Sequence, residues 1–343
     1  MEKSDSPLVS VCISVYNGDK YLIRCLDSVI NQDISSMEIV LVNDGSTDRT
    51  SQIMFEYQVR YPMMRIKIIE QENKGLAQAR WAGVKNSNGK YITFLDADDF
   101  LLNDAYQTIV QFMKHVKADI YEFQTIRDDY YSKSPYTGTM EAKKVLRDYF
   151  DGRDIPVNYW LRWFKRSLFS ETIFPIGISF SEDNFGFPCL IHRADTIAYI
   201  EKPLHVHTKN PDSIMNLLCS ERDHQKYFEQ QKIQLLSIPH IVANIGQDVI
   251  DSEYKDSFPQ YVARVYRNFV FLDLKGISYC ERLETIINTS DLKCSRIELE
   301  RYITKNVCTK YSKMNRVIRC VGLHNAYRLN VLRNCIAKWL NNK

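Results

Sequence analysis

Tyr91-Ile92-Thr93-Phe94-Leu95-Asp96-Ala97-Asp98-Asp99 is the stretch on which the fold turns. Its first five residues read as a buried strand, and the carboxylates that follow read as a loop at that strand's carboxyl end. Three carboxylates within four residues repel one another, and a cation or a set of donors is needed to make them tolerable. Hard divalent ions such as Mn²⁺ or Mg²⁺ take oxygen ligands, usually one or two carboxylates together with substrate phosphates. Taken alone, the same residues would serve as an acidic loop ahead of the next helix.

The sequence before this stretch repeats one pattern. Leu8 to Tyr16 is a near-continuous apolar run ending in Tyr16-Asn17-Gly18, a buried strand entering a turn. Tyr21 to Ile30 has helical spacing, and Glu38 to Val42 is a second buried strand. Asn43-Asp44-Gly45-Ser46 is a turn with Ser46 as the expected helix N-cap, and a helix follows to about Tyr61. Ile66 to Ile69 reads as a third strand, Gly75 to Lys85 as a helix, and helical spacing resumes from Asp104 to Val116. Strands this apolar, alternating with helices, imply an α/β domain whose parallel sheet is covered on both faces. Ligands of such sheets bind at the carboxyl ends of the strands. Tyr16, Asp44 and the Asp96–Asp99 cluster therefore fall along one rim. Lys74 and Arg80 are candidates to meet phosphates, although their segment read alone is only a loop and a helix start.

Length and composition bound the rest. At 343 residues, with 45% hydrophobic and 25% charged residues, the chain is long enough for two domains and ordinary for a folded protein. A net charge of +3 argues against nucleic acid as a partner, but the charge is uneven. From Lys293 to Lys343 there are twelve Lys or Arg against Glu298 and Glu300. Such a face suits solvent, an anionic membrane or a phosphate-rich lipid. Arg328 to Leu340 has the spacing of a basic amphipathic helix, suited to a membrane surface or to a neighbouring helix. Nine scattered cysteines without a C-x-x-C pair fit reduced, buried thiols in a cytoplasmic protein. The first residues lack the apolar stretch of a signal peptide, and no window reaches 18 apolar residues. There is no G-x-G anywhere, which argues against a nicotinamide dehydrogenase. Gly83 to Gly89-Lys90 is one residue too long for a P-loop and is followed by Tyr91.

Four blocks, taken together, resemble the family 2 inverting glycosyltransferases. They are Ser10–Asn17, Val40–Asp48, Asn73–Arg80 and Tyr91–Asp99, in the family's order and spacing. Weaker likeness continues through Trp163-Phe164-Lys165-Arg166-Ser167-Leu168-Phe169, Ile178–Phe185 and Pro203–Met215. The resemblance implies a GT-A nucleotide-binding fold with a mostly parallel central sheet over residues 1–216. Its donor half would be about 7–117 and its acceptor half about 118–216; the resemblance does not reach the last 127 residues, and 217–343 reads from its own spacing and charge as a mainly helical, basic region. It implies a nucleotide-diphosphate-sugar donor, most commonly a UDP-sugar, and a glycan or lipid-linked acceptor of surface polysaccharide synthesis. It also implies a Mn²⁺ or Mg²⁺ cofactor, while the basic charge from Lys293 to Lys343 motivates the expectation of a cytoplasmic chain held peripherally at the inner face of the cell membrane. Carried over residue by residue, Ser14 and Tyr16 would flank the base, with Tyr16 stacking on it. Asp44 would accept from the uracil imide, Asp96 would lie by the ribose and Asp98 would hold the metal. Asn17, Lys74, Gly75, Arg80 and Ala97 would complete the donor site. Asp183 is the expected general base, with Glu182 its neighbour pointing to the other side; acidic residues favoured at a helix N-terminus are the competing use of the pair. The chain departs from the family at Trp81, where Asn is usual, and at His205 and His207, where aromatics are common. His207 is a candidate metal contact, although a packed or exposed histidine is the commoner use. A catalytically silent nucleotide-sugar-binding subunit is the competing reading, and the presence of both Asp98 and Asp183 favours the enzyme.

Overall fold

The structure is a computed structural model that describes residues 6–32, 36–127, 130–132, 134–178, 181–211, 213, 232–271, 278–290, 295–306, 323 and 327. The chain divides into two compact units, one of residues 1–145 with 155–216 and one of residues 146–154 with 217–343.

The first unit carries a ten-stranded sheet. Its first part is the expected parallel one, built from β1 (Val9–Val15), β2 (Met37–Asp44), β3 (Arg65–Gln71) and β4 (Tyr91–Phe94) in the order β3-β2-β1-β4. All of β2 and β4 is buried, and all of β1 except Ser14, as a sheet covered on both faces requires. Three helices connect these strands: α1 (Asp19–Ile30), α2 (Thr50–Arg60) and α3 (Leu76–Lys85). On α1, Leu22, Cys25, Leu26, Val29 and Ile30 recur at helical spacing and are the residues it buries.

Beyond β4 come β5 (Phe100–Leu101), α4 (Ala105–His115), β6 (Ile120–Arg127), β7 (Tyr130–Ser132), β8 (Gly138–Glu141), α5 (Ala142–Phe150), β9 (Arg162–Lys165), α6 (Asp183–Arg193) and β10 (Thr196–His207). Strand β9 lies between β4 and β6 and is antiparallel to both. β10 runs parallel to β6 and antiparallel to β5 and β8. Strands β1, β2, β3, β4, β6 and β10 thus share one direction, and the other four oppose it.

Two expectations change in detail. The third strand extends two residues beyond Ile69 and begins one before Ile66. The second helix starts at Thr50 with Arg49 before it, and Ser46 does not cap it. Ser46 instead accepts from the backbone N–H of Asn17 at 2.9 Å and donates its own N–H to Asn43 Oδ1 at 3.0 Å. A short polar side chain in a turn bonds whichever backbone group lies nearest, and here that group belongs to another loop. Among the described cysteines, Cys12, Cys25 and Cys189 are buried free thiols and Cys280 is exposed. Burial pushes the Cys12 and Cys189 thiols up to about 12, so they stay protonated at neutral pH.

The described residues of the second unit are mainly helical, in α7 (Ser237–Ile245), α8 (Gln247–Glu253), α9 (Phe258–Val270), α10 (Tyr279–Thr289) and α11 (Arg296–Asn306). Its core is aromatic, with the Phe150 ring 5.2 to 5.5 Å from those of Tyr254, Phe258 and Tyr261. α10 begins with a reciprocal cap in which Ser278 accepts from Glu281 N–H and Glu281 accepts from Ser278 N–H. The basic helix expected at Arg328–Leu340 lies outside the described residues, as does most of the basic stretch from Lys293. No helix among the described residues is long and apolar enough to cross a membrane.

The amino-terminal end of the parallel strands is closed by a buried carboxylate. Glu38 Oε1 accepts from Ser10 Oγ and from the backbone N–H groups of Asn88 and Gly89. Removing it strands the Asn88 N–H and the Ser10 hydroxyl, while Gly89 N–H keeps Ser10 Oγ as its acceptor at 2.8 Å; a donor left buried without a partner costs about 1–3 kcal/mol. Glu38→Ala should therefore lower the free energy of unfolding in urea by about 2–4 kcal/mol. Glu38→Gln, which retains Oε1, should cost less than half as much.

Candidate active site

The opposite end of the same strands forms the rim. β1 runs out into Tyr16, which is 55% exposed, and Asn17, whose φ of 51° turns the chain sharply. The turn is locked to the loop after β2. Thr47 N–H donates to Asn17 Oδ1 at 2.8 Å, Gly18 N–H to Thr50 Oγ1 at 3.0 Å and Asp19 N–H to Asp48 Oδ2 at 3.0 Å. Tyr16 therefore presents an uncovered ring from a fixed backbone, the geometry of a stacking platform. Ser14, one residue inside the strand, has a buried hydroxyl with no hydrogen-bond partner.

At the end of β2 the Asp44 carboxylate draws in the loop after β3. It accepts from Lys74 N–H at 2.9 Å, Gly75 N–H at 3.0 Å and Gln71 Nε2 at 2.7 Å. Gly45 makes room for that loop: its φ is +76°, and a Cβ there would lie 2.7 Å from Asn73 N. A carboxylate offers about four lone-pair sites, so Asp44 retains capacity for one further donor. The Lys74 side chain is exposed beside it.

After β4 the acidic stretch turns tightly, with Asp99 N–H donating to Asp96 O at 3.0 Å and Ala97 packed against the core. Its partners come from α1 and from the end of β10. Asn210 Nδ2 donates to Asp98 Oδ2 at 2.7 Å. Arg24 Nη2 donates to the Asp98 carbonyl at 2.8 Å and to Thr208 Oγ1 at 2.9 Å. Thr208 N–H donates to Asp99 Oδ1 at 2.8 Å. Asp99 Oδ2 faces His205 Nε2 at 3.3 Å without hydrogen-bond alignment. His205 is completely buried, stacked on Trp160 at 4.6 Å, with Nδ1 2.8 Å from Thr125 Oγ1. His207 tilts against the same Trp160 at 5.6 Å.

Burial, and then the Asp96 charge, raise the Asp98 carboxyl above its usual range, against the pull of Asn210. A divalent cation would relieve this crowding, so the donor set fits Mn²⁺ or Mg²⁺ with Asp98 as the holding carboxylate. Among the described residues no group of three or more His, Cys, Asp or Glu side chains is arranged to hold a metal unaided. The diphosphate oxygens would have to complete the shell.

The buried centre of the site is Arg80 on α3, only 3% exposed. Its Nη2 donates to Asp96 Oδ1 at 2.8 Å. Its Nη1 donates to Glu182 Oε1 and, at 3.1 Å, to Asp183 Oδ1. The rings of Tyr159 and Phe94 lie against the guanidinium at 5.3 and 5.7 Å. Burial opposes the charge of Arg80, but Glu182, Asp96 and Asp183 outweigh it and hold the guanidinium protonated. Burial pushes the Asp183 carboxyl well above its usual range, and Arg80 pulls it back in part.

Two expectations are corrected here. Arg80 is engaged by three carboxylates and is not presented to a phosphate. Glu182 and Asp183 do not point to opposite sides: they stand at the first turn of α6, where both reach the same nitrogen. Successive helical residues are only 100° apart, unlike the alternating faces of a strand. Trp81, next to Arg80, packs on Phe174 at 5.9 Å. Sequence reasoning did not find Arg24, Asn210, Thr208 or Tyr159, since each is a common residue type with nothing in its neighbours to mark it.

Comparison with known proteins follows the same lines. The Glycosyl transferase family 2 model matches residues 10–173. Glycosyltransferase GlyA of Streptococcus pneumoniae is 30% identical over 217 residues, covering 58% of this chain and 30% of that protein. Chondroitin synthase of Escherichia coli is 44% identical over 101 residues, covering 29% of this chain and 14% of the synthase. The chain thus spans a minor part of both relatives. Among solved structures, residues 1–349 of Staphylococcus aureus TarS in complex with UDP-GlcNAc superpose with a TM-score of 0.69. That match covers 95% of this chain and 91% of that one at 17% identity. It shows the fold, an α/β GT-A architecture followed by helices.

Tyr159 supports this site from beneath. Its hydroxyl is buried without a partner, and a Cβ at Gly186 of α6 would lie 1.8 Å from it. Gly186→Ala should therefore destabilise the protein by about 1–3 kcal/mol through overpacking. Tyr159→Phe breaks no hydrogen bond and should be close to neutral. The double variant should recover part of the Gly186→Ala loss, as read by a thermal-denaturation double-mutant cycle.

Proposed function

We propose that the chain, whose residues 10–173 match the Glycosyl transferase family 2 model, is a metal-dependent inverting glycosyltransferase. It would move one sugar from a nucleotide-diphosphate-sugar, a UDP-sugar foremost, to a hydroxyl of a glycan or lipid-linked acceptor in surface polysaccharide synthesis. One observation carries the reading. Three groups with distinct chemistry share the carboxyl-terminal rim: the open Tyr16 ring, the crowded Asp96–Asp99 turn and the buried Glu182–Asp183 pair. S. aureus TarS, which shares the fold, has been seen with UDP-GlcNAc and with UDP, which supports a uridine donor.

In this reading the base stacks on Tyr16 beside Ser14 and Asn17, and Asp44 takes the imide proton. Asp96 meets the ribose next to Ala97, while Lys74 and Gly75 border the diphosphate. Asp98 holds Mn²⁺ or Mg²⁺, with His207 a candidate further contact. When bound, the metal neutralises the charge that gathers on the departing diphosphate. Asp183 takes the acceptor's proton as its oxygen attacks the anomeric carbon and the bond to the diphosphate breaks on the opposite face. A carboxyl raised by burial is a stronger base than an exposed one, which suits this task.

The basic stretch from Lys293 to Lys343 supports a peripheral hold on the inner face of the membrane, where lipid-linked acceptors reside. The full chain should float with vesicles containing anionic phosphatidylglycerol and be released at high salt. Failure to bind at low salt would remove the membrane part of the proposal.

Thermal denaturation with UDP and Mn²⁺, against UDP with chelator, tests the donor site. A ligand at 100 times its Kd adds about 2.7 kcal/mol, and the shift should vanish with chelator. Asp98→Asn should remove the metal-dependent part and nearly all transfer. Asp183→Asn should retain the shift while transfer falls by about 10²–10⁴-fold. Loss of both in Asp183→Asn would point to a structural role instead.

A further inference from the structure

We propose that Arg80 is the positioning residue of the reaction, a single rigid guanidinium that sets the distance and orientation between the donor-side carboxylate Asp96 and the base Asp183. The inference rests on the reading above for the role of Asp183, but its geometry stands by itself. Asp96 follows β4, and Glu182 and Asp183 begin α6, so nothing in the local backbone fixes one against the other. Arg80 joins them, with Nη2 on Asp96 and Nη1 on Glu182 and Asp183. The guanidinium is planar, and its two terminal nitrogens keep a constant separation. It cannot turn, because Tyr159 and Phe94 lie against it and the side chain is buried. Tyr159 is itself held against Gly186, one turn into α6 from Glu182.

Both reactants touch this arrangement. A donor whose ribose meets Asp96 is placed relative to the carboxylate that must take the acceptor's proton. Glu182 supplies a second anchor on the same nitrogen, so Asp183 is oriented without having to neutralise Arg80 alone. Three carboxylates around one cation leave an uncompensated negative charge beside the site. Arg162, completely buried and paired with Glu122 at 2.6 Å, is the other cation acting on Asp183. Misplacing reacting groups by about 1 Å can cost 10²-fold in rate while binding survives.

The test uses the full chain, with UDP release from a panel of UDP-sugars as the rate and the UDP·Mn²⁺ thermal shift as the measure of donor binding. Arg80→Lys keeps the charge, but its single ammonium cannot span Asp96 and the Glu182–Asp183 pair. Its kcat should fall by about 10²-fold while donor KM and the UDP·Mn²⁺ shift stay within about threefold of wild type. Arg80→Gln removes the larger of the two charges that lower the Asp183 carboxyl, leaving Arg162 alone against burial, Glu182 and Asp96, which raise it. The acid limb of its kcat–pH profile should therefore move to higher pH, a change that loss of packing alone would not produce. If Arg80→Gln fails to fold, Arg80→Lys decides. A kcat near wild type in Arg80→Lys, or parallel loss of kcat and the UDP·Mn²⁺ shift, would overturn the proposal. Absence of a UDP·Mn²⁺ shift in the wild-type chain would instead overturn the donor-site reading, a result the Arg80 variants do not mimic.

Discussion

The site depends on how a buried positive charge is made tolerable. A guanidinium removed from water needs carboxylates and hydrogen bonds on every donor, and the attraction repays its desolvation only when the geometry is good. Arg80 answers that demand at both terminal nitrogens, with Asp96, Glu182 and Asp183, and has two aromatic rings against its plane. The three carboxylates come from segments some 85 residues apart in sequence, so the ion cluster also fastens the early part of the domain to its later part. Breaking such a cluster leaves charges buried without partners, which is why its members are mutually dependent.

The two ends of the parallel strands treat charge differently. At the amino-terminal end, Glu38 is surrounded by donors from Ser10, Asn88 and Gly89, and nothing is left to bind. At the carboxyl-terminal end, the carboxylates outnumber the cations near them. Arg24 lies close to the acidic turn yet donates to the Asp98 carbonyl and to Thr208, not to a carboxylate. The result is a closed, structural end and an open, anionic end, the second suited to a cation and a charged ligand.

Much of this was legible in the residues themselves. Runs such as Val9–Val15 and Met37–Asp44 are apolar enough to announce a sheet covered on both faces, and strand polarity alone set Tyr16, Asp44 and Asp98 on one rim. What escaped was what depends on distance in space. Whether Arg80 meets a phosphate or a carboxylate turns on where Glu182 folds to, about a hundred residues later. Ser46 follows a capping pattern, yet the Asn17 loop lies closer to its hydroxyl. β9 is four residues long, and its apolar Trp163 and Phe164 fit a strand, a turn or a core contact equally well. His205 approaches Asp99 from a strand whose register shifts twice around Pro203, which no periodicity encodes.

The position of β9 has a consequence for how the chain is made. β4 pairs with β1 on one side, and its other edge waits for residues 162–165. A ribosome that has delivered the first four strands has therefore released a sheet with a bare apolar border, and some 70 more residues must emerge before it is sealed. Loop closure over that span is slow compared with local helix formation, so the nascent sheet passes through a sticky interval. The same border explains why a cut near residue 117, natural on functional grounds, would not yield a self-sufficient piece.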